Sequence, residues 1–341
     1  MSRFLVLFLS LLIFVASAHM VQASQTLEEV RRRGMLHCGV PPNVPGFASV
    51  MENGRWTGFE VDFCRALAAA VLGDGERVKF VPLGVQTRIP ALQTGEVDVL
   101  FRSTTWTYSR DAAMGVHFAS TIFYDGQAFM MRRSQGVTRL SEVPAGASVC
   151  VQAGTTAHQN LTDYLQVHRL DLRLMVFNSE QEMKTAFFTD RCDLYTSDSL
   201  LLMALRLSAA PNPDDFLILP ERISKEPMTP AVRDDDPAWF NILRWVIFVM
   251  IEAEEREITQ ANAPEMRSHG NPENRRLLGS VPGIGGPLGL DDEWAYRILR
   301  TVGNYGEIFE RHLGAKSPLQ LERGLNDLWT RGGLLYASPM R

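Results

Sequence analysis

The sequence has little of what marks a nucleic-acid-binding, membrane-spanning or metal-binding protein. The net charge is −5 across 341 residues, and no run of three basic residues occurs beyond residues 31–33, which argues against nucleic acid as a partner because its binding requires a basic surface. Beyond the amino-terminal segment, the richest apolar run, residues 245–251, is too short for a membrane span and is followed at once by acidic residues. No cysteine stands in a C-x-x-C pair, and the histidines are scattered. We therefore expect no nucleic-acid partner, no metal site and no cofactor.

Cysteine is also scarce. The chain has four cysteines, Cys38, Cys64, Cys150 and Cys192, which allow more than one disulfide connectivity. An exported protein meets an oxidising compartment, where disulfides are favoured over free thiols. We prefer the pairs Cys38 with Cys64 and Cys150 with Cys192, because each pair would then close a loop inside one of the two lobes that the strand and helix pattern predicts below.

The first residues have the layout of a secretory signal peptide. Arg3 precedes an apolar stretch over residues 4–15, and small residues follow at positions 16–18 and again near Ala23. This order of a cation, an apolar core and a small-residue cleavage site is typical of exported proteins. We expect cleavage near Ala23 and an exported protein. A retained anchor is the alternative, although the apolar core is short for a span.

Strand-like and helix-like patterns alternate along the chain. The segments 35–40, 78–82 and 97–101 are apolar and strand-like, with helical patterns between them, and the same order starts again after residue 132. Such alternation predicts α/β structure with doubly wound, parallel sheets in two Rossmann-like lobes. Beyond Pro237 the pattern is mostly helical, with a last helix expected over 319–329. This helical C-terminal extension is expected to pack on the first lobe.

Hydroxyls and arginines cluster after the strand at 97–101. Ser103, Thr105 and Arg110 follow this strand at the carboxyl end, where open α/β sheets hold ligands. Arginine can direct two donors at a carboxylate while hydroxyls and loop amides satisfy the remaining lone pairs. The pattern predicts an anion site. A capped loop, in which Ser109 begins a helix, is an interpretation of equal weight.

Three residues elsewhere are weaker candidates. Thr156 stands where a helix begins, and free backbone amides at such a position can bind an anion. Asp198 follows a strand, where a helix cap is the plainer interpretation. Phe59 belongs to a helical pattern, where burial in the core is the plainer interpretation. Residue types alone therefore favour structural roles for Asp198 and Phe59.

Four motifs occur in a fixed order along the chain. They are Gly58-Phe59-Glu60-Val61-Asp62, Ser103-x-Thr105-x-x-x-x-Arg110, Gln152-x-Gly154-Thr155-Thr156 and Asp193-x-x-x-x-Asp198. Together they resemble the periplasmic solute-binding proteins of polar amino-acid ABC transporters, the extracellular solute-binding proteins of family 3. The sequence is most similar to the general L-amino-acid binding subfamily, in residues 104–107, 224–227 and 303–307 and in the long carboxyl-terminal extension. Each motif alone is weak, but together they are specific.

The resemblance implies the periplasmic binding protein type II fold, with an L-amino acid clamped between two lobes. In the family pattern Arg110 binds the α-carboxylate, hydroxyl residues assist it, and Asp198 of the other lobe binds the α-ammonium. A buried zwitterion needs such a fixed cation and fixed anion, each paired and hydrogen-bonded. The ligand-binding residues so implied are Phe59 as an apolar wall, Ser103, Thr105, Arg110, Thr156 and Asp198.

The resemblance also implies how the chain is divided. Residues 1–23 are expected to be the signal peptide, residues 24–131 with 231–341 the first lobe, and residues 132–230 the second lobe. The two hinge segments are expected near 130–133 and 227–232. The implied partner is the membrane permease of an ABC importer, and we expect a monomer.

Position 103 departs from the subfamily pattern, in which it is usually an amide. Ser103 is shorter, which changes the reach and hydrogen bonding near the carboxylate and therefore the substrate range. Its neighbour Arg102 is a candidate for contacting an acidic or amide side chain of the ligand.

Two other classes of protein compete with an importer component. One is an enzyme on the same fold, similar to cyclohexadienyl dehydratase, and the other is a sensory amino-acid-binding protein. The sequence offers no set of nucleophile, base and orienting residue for the first and no signalling segment for the second. We therefore expect a binding protein that is not an enzyme.

Overall fold

The computed structural model describes residues 24–340 and shows two α/β lobes. The predicted signal peptide, residues 1–23, lies outside the described residues. Among residues 24–340, no helix is both long enough and apolar enough to cross a membrane. Each lobe contains a five-stranded sheet with helices packed against it.

Strands and helices alternate as the sequence predicts. The first part of the chain forms α1 (Gln25–Arg33), β1 (Leu36–Val40), β2 (Ser49–Val50), β3 (Trp56–Thr57), α2 (Phe59–Leu72), β4 (Val78–Pro82), α3 (Arg88–Gln93), β5 (Val99–Leu100), α4 (Tyr108–Ala113), β6 (Val116–Phe118) and β7 (Phe123–Asp125). The middle forms β8 (Gln127–Arg132), β9 (Ala147–Gln152), α5 (Thr156–His168), β10 (Leu172–Phe177), α6 (Glu180–Phe188), β11 (Leu194–Asp198), α7 (Ser199–Ala209), β12 (Phe216–Ile218), β13 (Glu226–Met228) and β14 (Ala231–Arg233). The last part forms α8 (Pro237–Glu255), α9 (Ala263–His269), α10 (Pro272–Leu277), α11 (Trp294–Val302) and α12 (Tyr305–His312).

The first sheet has the strand order β4-β1-β5-β14-β6. β1 runs parallel to both neighbours, so that Cys38 pairs with Phe80 on one side and with Val99 on the other. β14 pairs antiparallel with both of its neighbours, β5 and β6, and is the one strand of this sheet that runs against the others. The three strands of this sheet that come first in the chain, β1, β4 and β5, lie side by side in the order β4-β1-β5. A topological switch point therefore lies at the carboxyl ends of β1 and β5, where such sheets bind ligands.

The second sheet, β10-β9-β11-β8-β12, repeats this topology. β9 is parallel to β10 and β11, whereas β8 pairs antiparallel with both of its neighbours, β11 and β12. The switch point of this sheet therefore lies at the carboxyl ends of β9 and β11. The doubly wound, parallel arrangement that the sequence predicts holds for four strands of each sheet, and one strand, β14 in the first sheet and β8 in the second, runs against the other four.

The chain crosses between the lobes at β7 and β13, which pair antiparallel. β8 follows within two residues of the end of β7 and pairs with β11 and β12 of the second sheet. The expected boundary at residue 131 would leave most of β8 in the first lobe, and the expected hinge at 130–133 falls inside this strand. Since β8 belongs to the second sheet, both the boundary and the hinge are corrected to near Gly126. The sequence could not show this, because the apolar pattern of a strand does not reveal which sheet the strand joins.

Both preferred cysteine pairs are disulfide-bonded. The Cα atoms of Cys38 and Cys64 are 6.2 Å apart, and those of Cys150 and Cys192 are 5.8 Å apart. Within residues 24–340 no cysteine is free. The first bond joins β1 to α2, and the second joins β9 to the residues leading into β11, so each closes a loop within one lobe.

The helices of the carboxyl-terminal extension pack on the first lobe. α8, α11 and α12 share one continuous apolar core with α2. Polar contacts hold the same arrangement: the buried carboxylate of Asp62 in α2 accepts a hydrogen bond from Arg311 Nη1 at 2.6 Å and lies 2.7 Å from His312 Nε2. The first lobe therefore consists of residues from both ends of the described chain.

The last residues of the extension contact the crossing strand β7. Residues 319–329 do not form the expected helix, and only short 3₁₀ turns occur there, at Gly324–Asn326 and Trp329–Arg331. Asn326 Oδ1 accepts the N–H of Tyr124 at 2.6 Å, and Asn326 Nδ2 donates to the Tyr124 carbonyl at 3.0 Å. An amide thus pairs with β7 in the way that a neighbouring strand would.

Candidate functional site

One cavity lies between the switch points of the two sheets. Its volume is about 70 Å³, several times what one water molecule needs. The first lobe contributes Pro41, Val44, Val85, Arg88, Arg102, Ser103, Thr105 and Arg110. The second lobe contributes Gln152, Thr155, Thr156, Ala157, Glu180, Met183, Tyr195, Thr196, Ser197, Asp198, Leu201 and Leu205. Gln86 Nε2 of the first lobe donates to the Ala153 carbonyl of the second lobe at 3.2 Å, next in sequence to the lining residues Val85 and Gln152.

Arg110 extends from α4 into this cavity. The helix begins after Thr107, whose hydroxyl accepts the N–H of Arg110 at 3.3 Å. The guanidinium donates through Nη1 to the Thr105 carbonyl at 2.8 Å, and within residues 24–340 it forms no ion pair. Burial lowers the pKa of Arg110, and the negative charges of Glu226 and Asp198 oppose that effect. A buried guanidinium with unused donors suits a carboxylate.

Asp198 reaches the same cavity from the other lobe. It occupies the residue before α7, but Asp125 caps that helix instead, accepting Ser199 Oγ at 2.5 Å and the Leu200 N–H at 3.0 Å. The Asp198 carboxylate has no hydrogen-bond partner among residues 24–340. Burial raises its pKa well above the usual range, and the nearby charges of Glu226 and Asp125 raise it further. The helix-cap interpretation is therefore wrong, and the carboxylate suits a cation.

Ser103 lines the cavity beside a glutamate that sequence reasoning missed. Its φ of 40° lies in the left-handed region, which amide side chains tolerate better than serine. The N–H of Ser103 donates to Glu60 Oε1, and its hydroxyl lies 3.1 Å from Glu60 Oε2. Burial raises the pKa of Glu60 to about 7, while the hydrogen bonds from Ser103 lower it. The signal was present, because Glu60 belongs to a motif quoted for the family resemblance.

Replacing Glu60 with glutamine is expected to reduce the pH dependence of stability. The folded-state pKa of about 7 exceeds the 4.5 of a free glutamate side chain, so the stabilisation from this residue is complete below the lower pKa and is lost as pH rises through the higher one. Between about pH 5 and about pH 8 the natural protein should lose roughly 2 kcal/mol of unfolding free energy from this residue. Glutamine can accept from the Ser103 N–H and donate to its hydroxyl, and should avoid that loss.

Denaturant unfolding at both pH values tests this expectation. Glu52→Gln, at an exposed position, is the matched control and should retain the pH dependence of the natural protein. If Glu60→Gln and the natural protein lost the same unfolding free energy between the two pH values, the raised pKa would not belong to Glu60.

The hydroxyls of Thr105 and Thr156 both donate to Glu226, another residue that sequence reasoning missed. Glu226 Oε2 accepts from Thr105 Oγ1 at 2.6 Å and from Thr156 Oγ1 at 2.9 Å. Its Oε1 accepts from Asn160 Nδ2 at 2.7 Å and from Ser224 Oγ at 2.6 Å. This carboxylate of the crossing strand β13 therefore connects both lobes, and the two hydroxyls are already engaged.

Truncating Glu226 to alanine is expected to lower the free energy of unfolding by about 2 kcal/mol. The change removes the acceptor of four buried or half-buried donors, and unsatisfied donors of this kind are costly. Denaturant unfolding measures the loss, and Lys225→Ala, at the exposed neighbouring position, should leave stability unchanged. Equal stabilities for the two variants would show that the carboxylate does not hold the lobes together.

Phe59 does not reach the cavity. Its ring is fully buried and packs edge-on against Phe63 at 5.1 Å and Tyr305 at 5.6 Å between ring centroids. The expected apolar wall is therefore corrected: Phe59 belongs to the core between the first sheet and the carboxyl-terminal helices. The other five expected residues, Ser103, Thr105, Arg110, Thr156 and Asp198, all line the cavity.

The chemistry of the site is that of a charged recognition pocket. Among residues 24–340, no group of three or more His, Cys, Asp or Glu side chains is arranged to hold a metal ion. The described lining contains arginine, carboxylate, hydroxyl and apolar side chains, with no lysine, histidine or cysteine. Opposite charges from separate lobes can hold the two ends of a small zwitterion.

Comparison with known proteins gives consistent results. Residues 36–261 match the family model described as bacterial extracellular solute-binding proteins, family 3. The chain is 48% identical over 321 residues, 94% of each chain, to the general L-amino acid-binding periplasmic protein AapJ of Rhizobium johnstonii. It is 45% identical, again over 94% of each chain, to the glutamate/glutamine/aspartate/asparagine-binding protein BztA of Rhodobacter capsulatus.

Among solved structures, one from Brucella ovis has the same fold throughout. It is described as an ABC transporter periplasmic binding protein with glutathione bound, with a TM-score of 0.90 and 48% sequence identity. The match covers 93% of this chain and 99% of that chain. The resemblance seen in the motifs therefore extends to the whole architecture.

Proposed function

The chain belongs to the family 3 bacterial extracellular solute-binding proteins, and on this premise we propose that it captures an L-amino acid between its lobes and delivers it to an ABC importer. One observation carries the proposal: Arg110 and Asp198, of opposite charge and from different lobes, line the same cavity. Neither group has an ion-pair partner in residues 24–340. A zwitterion would supply both partners at once.

The α-carboxylate of the ligand binds Arg110. The hydroxyls of Thr105 and Thr156 donate to Glu226, so these residues serve the ligand through their backbone N–H groups, aided in Thr156 by its place at the start of α5. The Ser103 hydroxyl is held by Glu60 and positions the same loop. The α-ammonium binds Asp198, which charge-assisted hydrogen bonding favours.

Binding drives closure of the two lobes. Residues 24–125 with 229–340 form the first lobe in this proposal, and residues 127–225 form the second. The hinge consists of the paired crossings β7 and β13 with their flanking residues. A ligand that contacts Arg110 and Asp198 together stabilises the closed arrangement over any open one.

The proposal includes export and a partner. The predicted signal peptide would send the chain to the periplasm, where its disulfides persist, as a monomer. The closed protein then presents its ligand to the membrane permease of the importer. We propose no catalytic step, because the described lining of the cavity has no base paired with a nucleophile.

Calorimetric titration of the mature protein with the twenty proteinogenic L-amino acids tests the function. Binding of one or more of them at one site per chain supports it. Absence of binding to all twenty, with turnover of a cyclic carboxylate such as prephenate, would instead support the enzymatic alternative on this fold.

A further inference from the structure

Three arginines converge on the cavity, and the ligand role proposed above uses only one of them. Arg88, Arg102 and Arg110 all line it, and none forms an ion pair with a carboxylate of residues 24–340. We propose that Arg88 and Arg102 form a second anion position, and that the preferred ligands are L-amino acids with a second carboxylate, L-glutamate and L-aspartate. This inference rests on the proposed function and names its substrate class.

Arg88 is the first residue of α3 and is 5% exposed. Its guanidinium makes no hydrogen bond to another described residue. Burial lowers the pKa of Arg88, and the positive charges of Arg102 and Arg110 lower it further, whereas the negative charges of Asp198 and Glu60 oppose this shift. A buried cation beside like charges is costly unless an anion pairs with it. The unpaired guanidinium of Arg88 therefore raises the free energy of the ligand-free protein, and a ligand carboxylate that paired with it would remove this penalty.

Arg102 is held in place but keeps free donors. Its Nε donates to the Leu83 carbonyl at 2.8 Å, which fixes the plane of the guanidinium. Its two Nη groups have no protein acceptor in the described chain. Two donors in one plane match the two oxygens of a carboxylate.

The acidic residues nearby are committed elsewhere. Both oxygens of Glu60 face Ser103, and both oxygens of Glu226 accept hydrogen bonds from four other residues. Glu180 forms an ion pair with Lys184 at 2.8 Å on its own helix. Asp198 is assigned to the α-ammonium. The charges of Glu60 and Asp198 act on Arg88 and Arg102, but no described carboxylate forms an ion pair with either arginine.

The charge and shape of a dicarboxylic amino acid match the groups of the cavity that have no partner in the described chain. Its α-carboxylate and α-ammonium take Arg110 and Asp198, and its second carboxylate takes the arginine pair. Met183, Leu201 and Leu205 line the same cavity and suit the methylene groups between the charges. A second carboxylate gives the unused donors of Arg88 and Arg102 a charged acceptor, whereas an amide side chain offers them only a neutral one.

The test compares ligands that differ only in carboxylate against amide. L-Glutamate, L-glutamine, L-aspartate and L-asparagine are titrated calorimetrically into the natural protein, Arg88→Met and Arg102→Met. Arg173→Met, at an exposed position of the second lobe, is the matched control. Methionine keeps most of the length of the side chain while removing the charge.

We expect the natural protein to prefer each acid to its amide by at least about tenfold, because a buried guanidinium pairs far better with a charged acceptor. Each cavity variant should weaken binding of the acids by about tenfold or more and change binding of the amides by less than about threefold. Arg173→Met should keep the preference for the acids.

Other outcomes are equally informative. An unchanged ratio of acid to amide affinity in both cavity variants overturns the second anion position, whereas failure of the natural protein to bind any amino acid overturns the proposed function instead. If a methionine variant binds neither member of a pair, the lysine variant at the same position decides. A lysine variant that binds the acid more tightly than the amide supports the second anion position, and one that binds both equally overturns it.

Glutathione is titrated in parallel, since it combines an amino-acid head group with a more distant carboxylate. If only its affinity falls in the cavity variants, the second carboxylate belongs to a γ-glutamyl peptide, and the assignment to L-glutamate and L-aspartate is overturned.

Discussion

Replacing Arg110 with methionine is expected to weaken L-amino-acid binding by about a thousandfold while leaving the protein folded. The guanidinium is buried and spends one donor on the Thr105 carbonyl, and the proposal assigns its remaining donors to the α-carboxylate. Without it, that carboxylate would be buried with no cation, and loss of one member of a buried charge pair costs about 2 to 5 kcal/mol. The loss should be equal for all amino acids, because all share the α-carboxylate.

Titration calorimetry measures this loss, and thermal unfolding confirms that the variant is folded. Arg110→Lys keeps the charge but not the planar pair of donors, and should recover only part of the affinity. Arg173→Met, at an exposed site, should bind as the natural protein does. Binding by Arg110→Met within about threefold of the natural protein would refute the carboxylate assignment.

Changing Asp198 to asparagine is expected to weaken binding by about a hundredfold and, without ligand, to stabilise the fold. Burial raises the pKa of this carboxylate well above its usual range, and Glu226 and Asp125 raise it further. The ionised carboxylate is therefore unfavourable in the ligand-free protein, and asparagine removes this penalty at nearly constant volume. The same change removes the anion that pairs with the α-ammonium, so affinity and stability should move in opposite directions.

A structural role for Asp198 predicts no gain in stability and no loss of binding. If Asp198 were a helix cap, asparagine would preserve the cap or weaken it slightly, and binding would be unaffected. Unfolding measurements without ligand, together with titration, separate the two cases. Loss of stability with full binding in Asp198→Asn would refute the assignment to the ammonium.

The order of elements and the charged ends of the site were predictable because their signals are local. Alternating strand and helix patterns indicated two lobes, and the positions of the cysteines favoured the pairs that the structure contains. Arg110 and Asp198 were indicated by motifs in the expected order, and the fold brings both to one cavity. A motif can carry such information because it identifies a position in a known architecture.

What the sequence could not reveal depends on contacts between distant residues. β8 is apolar whichever sheet it joins, so its place in the second sheet follows only from the crossing at β7. Arg88 resembles any residue at the start of a helix, although it is buried. Glu226 lies in a segment similar to the subfamily, but its contacts to Thr105 and Thr156 span both lobes.

Phe59 shows the opposite error, in which a role implied by the family was carried over to a residue of this chain. The plainer interpretation, burial in the core, is the one the structure supports. Helix α12 brings Tyr305 against this ring, and that contact depends on where the tail packs.

A crystal structure of the protein with bound L-glutamate is the most direct test of the central claim. It should show the α-carboxylate within about 3.2 Å of the Arg110 guanidinium and the α-ammonium equally close to Asp198, with the lobes closed on the ligand. A ligand bound outside this cavity, or bound in it with Arg110 and Asp198 both out of contact, would contradict a clamp built from opposite charges on two lobes.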